Sequence, residues 1–242
     1  MEKVLDEQIT KQIMEVFAEL AQPVQILFFG SEENCEYCGE TEKLLNEISE
    51  IDEKIHLSIY DIKKNADVAA QYKVDKTPAI VIASKNGEQI IDLGIQFSGI
   101  PSGYEFSTLI NDIVIASKRD SGLGAATREY LQNLTKPLLL QVFVTPTWPH
   151  CPRAVLLAHQ IAMENPKMIR AEAVDAMEFP ELSRRFKVQG VPQTVINSGG
   201  GVVVGAYPEQ RLLDEIKRAL QNWDIGLSYE KAKIPLKKKE EH

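Results

Sequence analysis

The chain matches itself when displaced by 114 residues, and this repeat limits what it can fold into more than any other feature. Pro23 opens the run Pro-Val-Gln-Ile-Leu-Phe-Phe and Pro137 opens Pro-Leu-Leu-Leu-Gln-Val-Phe, both continuous apolar stretches of the kind that buried strands show. At the same offset Asp61 falls on Asp175, Tyr72-Lys73-Val74 on Phe186-Lys187-Val188, Thr77-Pro78 on Val191-Pro192, and Gly87 on Gly201. Unrelated segments would not hold one register at so many places, so a unit of about 110 residues is present twice.

Each copy reads as a leading helix followed by β-α-β-α-β-β-α, an α/β unit with a mixed sheet flanked by helices. In the first, Glu40 to Ile51 sets Leu44, Leu45, Ile48 and Ile51 at helical spacing, and Pro78-Ala-Ile-Val-Ile reads as a strand leaving a turn. In the second, Ala154 to Ala162 and Pro192-Gln-Thr-Val-Ile repeat the pattern. Ser117 to Gly124 is polar and holds two glycines, which predicts units at 1–119 and 120–242, the second starting with an amphipathic helix over Ala125 to Leu134.

The chemistry gathers where the first buried strand gives way to a helix, at Cys35-Glu36-Tyr37-Cys38. A thiol in the first turn of a helix lies near unpaired N–H groups and the positive end of the dipole, which favours the thiolate. Cys35 is therefore expected to attack a disulfide, and Cys38, one turn on and deeper, to resolve the mixed disulfide. Zinc is the competitor, but Cys151, His56, His150, His159 and His242 stand at no ligand spacing from the pair. Pro78 leads a strand and forgoes a ladder bond, which leaves the Thr77 backbone to pair with an extended substrate chain; a plain edge proline is the other reading. Tyr37 joins Thr77 and Pro78 as the expected substrate-binding set.

The second copy carries Trp148-Pro149-His150-Cys151 at this place, with Val191-Pro192 as its counterpart of Thr77-Pro78. Tryptophan occupies the attacking position. Cys151 aligns with Cys38 and reads as a core residue, and His150 reads as structural rather than as a base. Trp148 either caps the silent site or offers an aromatic surface to a partner. Around the intact pair, Glu32, Glu33, Glu36 and Glu40 crowd a stretch with no Lys or Arg between Ser31 and Thr41. Negative neighbours oppose a thiolate, so a reducing poise is expected unless solvent screens them.

A formal charge of -8 argues against a nucleic-acid partner, and the basic run Lys237-Lys238-Lys239 reads as a solvated tail because Glu240 and Glu241 follow it. No run has the length of a membrane span, and the first residues lack a signal-peptide core, so the expected location is cytoplasmic. In a reducing compartment a close pair among three cysteines is more plausibly catalytic than part of a disulfide framework.

The whole chain resembles the thermophile-type protein disulfide oxidoreductases, glutaredoxin-like proteins with two tandem thioredoxin folds. The resemblance is carried by Cys35-Glu-Tyr-Cys38, Gly99-Ile-Pro-Ser-Gly-Tyr-Glu-Phe106, Phe143-Val-Thr-Pro-Thr147 leading into Pro149-His150-Cys151-Pro152, and Gly205-Ala-Tyr-Pro-Glu209. It is also similar to the tandem N-terminal domain of the flavoprotein component of alkyl hydroperoxide reductase, which keeps one working CxxC of two. The resemblance implies a cytosolic dithiol–disulfide oxidoreductase with cis-prolines at Pro78 and Pro192. It further implies no cofactor beyond the Cys35–Cys38 couple, disulfide-containing protein substrates, and a thioredoxin-reductase-like flavoprotein as electron donor. In the two-site family the second motif is an intact Cys-Pro-Tyr-Cys; with Trp148 there, a single-site reductase or electron carrier fits better than an isomerase. A non-catalytic scaffold on the same tandem fold is the alternative.

Overall fold

The computed structural model describes residues 3–221, so the Lys237–Lys239 run, His242 and the end of the second unit lie outside the described residues. In chain order the first half is α1 (Glu7–Phe17), β1 (Val24–Gly30), α2 (Cys38–Ser49), β2 (Ile55–Asp61), α3 (Ala66–Gln71), β3 (Ala79–Asn86), β4 (Gln89–Ser98) and α4 (Glu105–Lys118). The second half repeats the order as α5 (Ala125–Gln132), β5 (Leu138–Val144), α6 (Cys151–Glu164), β6 (Ile169–Asp175), α7 (Pro180–Arg185), β7 (Gln193–Ile196), β8 (Gly201–Val204) and α8 (Glu209–Gln221). The order matches the one read from the repeat, element for element.

Local chemistry accounts for the elements. Every residue of β1 is buried because the strand is covered on both faces: Ile26 and Phe28 point into the main core, Leu27 and Phe29 into a second cluster under α3. In β5, Val142 and Val144 join the main core, while Phe143 packs in a third cluster with residues of α7 and its flanks. Asp6 caps α1 by accepting from Ile9 N at 2.7 Å. At α6, Pro152 occupies the first turn, where its missing N–H costs no helical bond. Thus α1, α2, α4, α5, α6 and α8 share one face of the sheet, and the short α3 and α7 cover parts of the other.

The two sheets are one. Eight strands run in the order β2-β1-β3-β4-β6-β5-β7-β8, and the halves join through parallel pairing of β4 with β6, Ile95 opposite Ala171 and Ser98 opposite Val174. Gly94 makes the join possible: its φ is +73°, and a Cβ there would lie 2.6 Å from the Ile169 carbonyl oxygen. Across the same seam α4 packs on α6, where fully buried His159 and Asp112 meet at 2.6 Å (Nδ1 to Oδ2), and Arg170 pairs with Asp92. The parallel strands β1, β2, β4, β5 and β6 all end on one rim, and β3 and β7 begin there. Both cysteine-bearing loops therefore face the same side of the molecule.

Candidate active site

Cys35 and Cys38 form a disulfide with their Cα atoms 5.5 Å apart, just beyond the end of β1. Cys35 is half-buried, whereas Cys38 is 7% exposed and packs in the main core. The helix starts later than expected. Cys38, not Cys35, is the first helical residue of α2, because the first helical bond runs from Thr41 N to Tyr37 O; Cys35 stands three residues ahead. The Tyr37 end of α2 has no side-chain cap, and Ser31 N donates to Cys38 Sγ at 3.4 Å, a contact that favours negative charge on Cys38 when the bond opens.

Pro78 is buried just ahead of β3, next to β1, and its carbonyl accepts from Gly99 N at 2.9 Å. The bonds Thr77-Pro78 and Val191-Pro192 are both cis. Among the described residues no backbone hydrogen bond takes the N–H or C=O of Thr77, so a further extended chain could pair there.

The acidic stretch looks different in space. Glu33 pairs with Lys63 at 2.5 Å and Glu32 with Lys64 at 2.6 Å, both on the surface. Lys63 and Lys64 follow β2, which ends beside β1, so adjacent strand ends bring the opposite charges together. Lys63 lowers the Glu33 carboxyl, first by hydrogen bonding and then by charge. This corrects the expectation of an uncompensated acidic surround: Glu36 and Glu40 remain, and Tyr37 is raised chiefly by Glu36.

In the second half Trp148 is 48% exposed and its ring meets that of His150 edge-on at 5.7 Å. Pro149 and His150 are exposed, and His150 is the residue before α6. Cys151, the first residue of α6, is wholly buried with a free thiol; Val191 is half-buried and Pro192 buried ahead of β7. Burial pushes the Cys151 thiol up to about 11, and the charges of Glu105 and Asp175 add to the shift, so the group stays protonated at neutral pH.

Several residues at this rim gave no signal of their own in the sequence. Glu105, on α4, is 4% exposed and raised to about 7 by burial; it accepts from Thr108 Oγ1 at 2.8 Å through Oε2, while Oε1 has no protein partner. It lines a cavity of about 10 Å³ together with Ser98, Ile100, Pro146 and Asp175, room for about one water molecule. Glu178, also raised to about 7 chiefly by burial, accepts from Ile100 N at 2.7 Å, so the second half reaches across to the loop after β4. The Gly99–Phe106 segment is explained by the same contact zone: at Gly103, φ is +57° and a Cβ would lie 2.2 Å from the Pro146 carbonyl, which accepts from Tyr104 N. Among the described residues no three His, Cys, Asp or Glu side chains are grouped to hold a metal ion.

A mixed sheet flanked by helices, with a disulfide just beyond β1 and a cis-proline leading the strand paired beside it, defines a thioredoxin-like disulfide oxidoreductase fold, whose strand–helix plan and cis-proline recur in the second half. The chain belongs to the thioredoxin domain family, whose model matches residues 23–111 and 138–218. The tandem arrangement is shared with a protein disulfide oxidoreductase from Aeropyrum pernix K1, at 32% identity and a TM-score of 0.81, covering 91% of this chain and 96% of that one. It is shared too with the NTD_N/C domain of alkylhydroperoxide reductase AhpF from Enterococcus faecalis, at 28% identity and a TM-score of 0.79, covering 88% and 99%. The alkyl hydroperoxide reductase AhpF of Staphylococcus aureus is 26% identical over 187 residues, which is 77% of this chain but 32% of that protein. The chain thus spans about a third of the length of that relative.

Proposed function

We propose that this protein is a dithiol–disulfide oxidoreductase working through Cys35 and Cys38 alone. One observation carries the reading: the Cys35–Cys38 bond stands at the rim with Cys35 the more accessible sulfur and Cys38 in the core beneath it. The Cys35 thiolate attacks one sulfur of a substrate disulfide, and the other substrate sulfur leaves as a thiolate that takes up a proton. Cys38, deprotonated, then attacks Cys35 Sγ, closing the intramolecular disulfide and releasing the second substrate thiol. The substrate is reduced by two electrons and the pair oxidised by two, so an external dithiol must restore it. The similarity to the AhpF proteins supports a flavoprotein reductase as that donor.

Tyr37, Thr77 and Pro78 bind the substrate chain beside the pair. The second site, Trp148-Pro149-His150-Cys151 with Val191-Pro192, performs no exchange, because a buried thiol raised to about 11 lacks a partner sulfur. The units divide at 119/120, in the segment between α4 and α5. Cysteine usage supports a reducing, cytoplasmic setting. Net charge supports protein rather than nucleic-acid partners, and among the described residues no helix is long and apolar enough to cross a membrane. Reduction of insulin by dithiothreitol tests the reading: Cys35→Ser is expected to lower the rate about 100-fold or more, to the uncatalysed level. Catalysis that survives the change would remove this mechanism, whereas a wild type that does not speed the reduction at all would leave the scaffold reading.

A further inference from the structure

The loop that holds Thr77 and Pro78 belongs to the first unit, yet the charge that anchors it comes from the second. Lys76 Nζ lies 2.6 Å from Glu172 Oε1 on β6 and 2.6 Å from Asp75 Oδ1, with the Lys76 and Glu172 side chains 11% and 7% exposed. Glu172 also accepts from Ser98 Oγ at 2.5 Å and from Gln141 Nε2 at 2.9 Å. Ser98 stands opposite Ala79, the residue after Pro78, so the network meets the loop on both sides of the proline. Burial opposes the charge on Lys76, but Glu172 and then Asp75 outweigh it and raise the ammonium above its usual range; burial likewise opposes the charge on Glu172, and Lys76 outweighs it. Both groups are therefore ionised at neutral pH. Among the described residues the other half has no such device at the matching positions. Gly190 stands 114 residues after Lys76 and Ser58 the same distance before Glu172, and Gly190 is exposed with open space around its Cα.

We propose that Glu172, acting through Lys76, is a positioning residue for the working site: the second unit fixes the loop that receives the substrate chain and so contributes affinity for protein disulfides rather than chemistry. This rests on the exchange reading above. A buried pair broken on one side leaves a lone charge, so the informative set is Lys76→Met, Glu172→Gln and the double variant, which leaves neither charge unpaired.

Two measurements decide it on the full chain. Amide hydrogen exchange over residues 74–79 is expected to rise about tenfold in the double variant, with helix α8 unaffected. With insulin as substrate KM is expected to rise about fivefold while kcat stays within about twofold, and turnover of a small aromatic disulfide that carries no peptide chain is unchanged. Unaltered loop protection and unaltered KM in the double variant, beside a wild type that reduces both substrates, would overturn the inference alone. Equal losses on both substrates would overturn it as well, since the network would then support the fold rather than the loop. A wild type that reduces neither disulfide would instead remove the exchange reading, and the positioning role with it.

Discussion

Around Cys35 and around Trp148 the chain follows one backbone plan with different chemistry. Both motifs leave a buried strand at the same rim and enter a helix at a cysteine, Cys38 in one and Cys151 in the other, and each half carries a strand-leading cis-proline. The outer position differs: a half-buried sulfur in the first, a 48% exposed indole in the second. The inner position is buried in both, at 7% and 0%. The comparison teaches that the inner position is fixed by packing in both halves, whereas the outer position, open to solvent, is free to carry different chemistry.

The sharpest way to break this comparison is Trp148→Cys. If the frames are equivalent, the new thiol stands over Cys151 and oxidation closes a second disulfide, seen as the loss of two further hydrogens by intact mass and as a second reducible couple. A variant that stays a dithiol under the same oxidant would show that the second frame has drifted as well as its chemistry.

A smaller effect concerns the acid between the sites. Glu105 has a folded pKa raised to about 7 by burial, above its unfolded value. The folded state therefore binds the proton more tightly than the unfolded one. Stability from this group is fully present below the unfolded pKa and is lost as pH rises through the window up to about 7. Chemical denaturation at pH 5 and pH 8 should show the wild type losing stability from this group, on the order of 2–3 kcal/mol. Glu105→Gln should remove that part of the slope and leave the part due to Glu178, which is raised to the same value, and an unchanged slope would place the titration elsewhere. Smallest is Cys151→Ala, expected to cost about 1 kcal/mol of unfolding free energy with insulin reduction unchanged. A fall in activity larger than the fall in stability would reopen the second site.

Much of this is legible in the chain because repetition and apolar runs are local signals. One offset places both copies of β1, β2, α3 and β3, which begin 114 residues before β5, β6, α7 and β7, and the nearly all-apolar character of β1 announces a strand covered on two faces. The fusion of the two sheets is not legible, since it rests on Gln96, Ser98, Arg170 and Glu172, polar residues whose burial follows only when β4 meets β6. The same holds for the site. The cysteine spacing marks its position, but the Lys63 and Lys64 partners of Glu33 and Glu32 arrive from a neighbouring strand end that linear distance hides. The start of α2, three residues beyond Cys35, is not legible because Glu36 and Tyr37 carry no capping signal to separate loop from helix.

Placing both cysteine loops at one rim leaves the opposite rim clear of them. The turns there, Gly87-Glu88 between β3 and β4 and Asn197 to Gly200 between β7 and β8, point away from the cysteines, with Gly87, Glu88, Gly199 and Gly200 exposed. A dye, bead or electrode tether attached at Glu88 would hold the molecule by its back, with the sulfur chemistry turned outward toward whatever solution it is given.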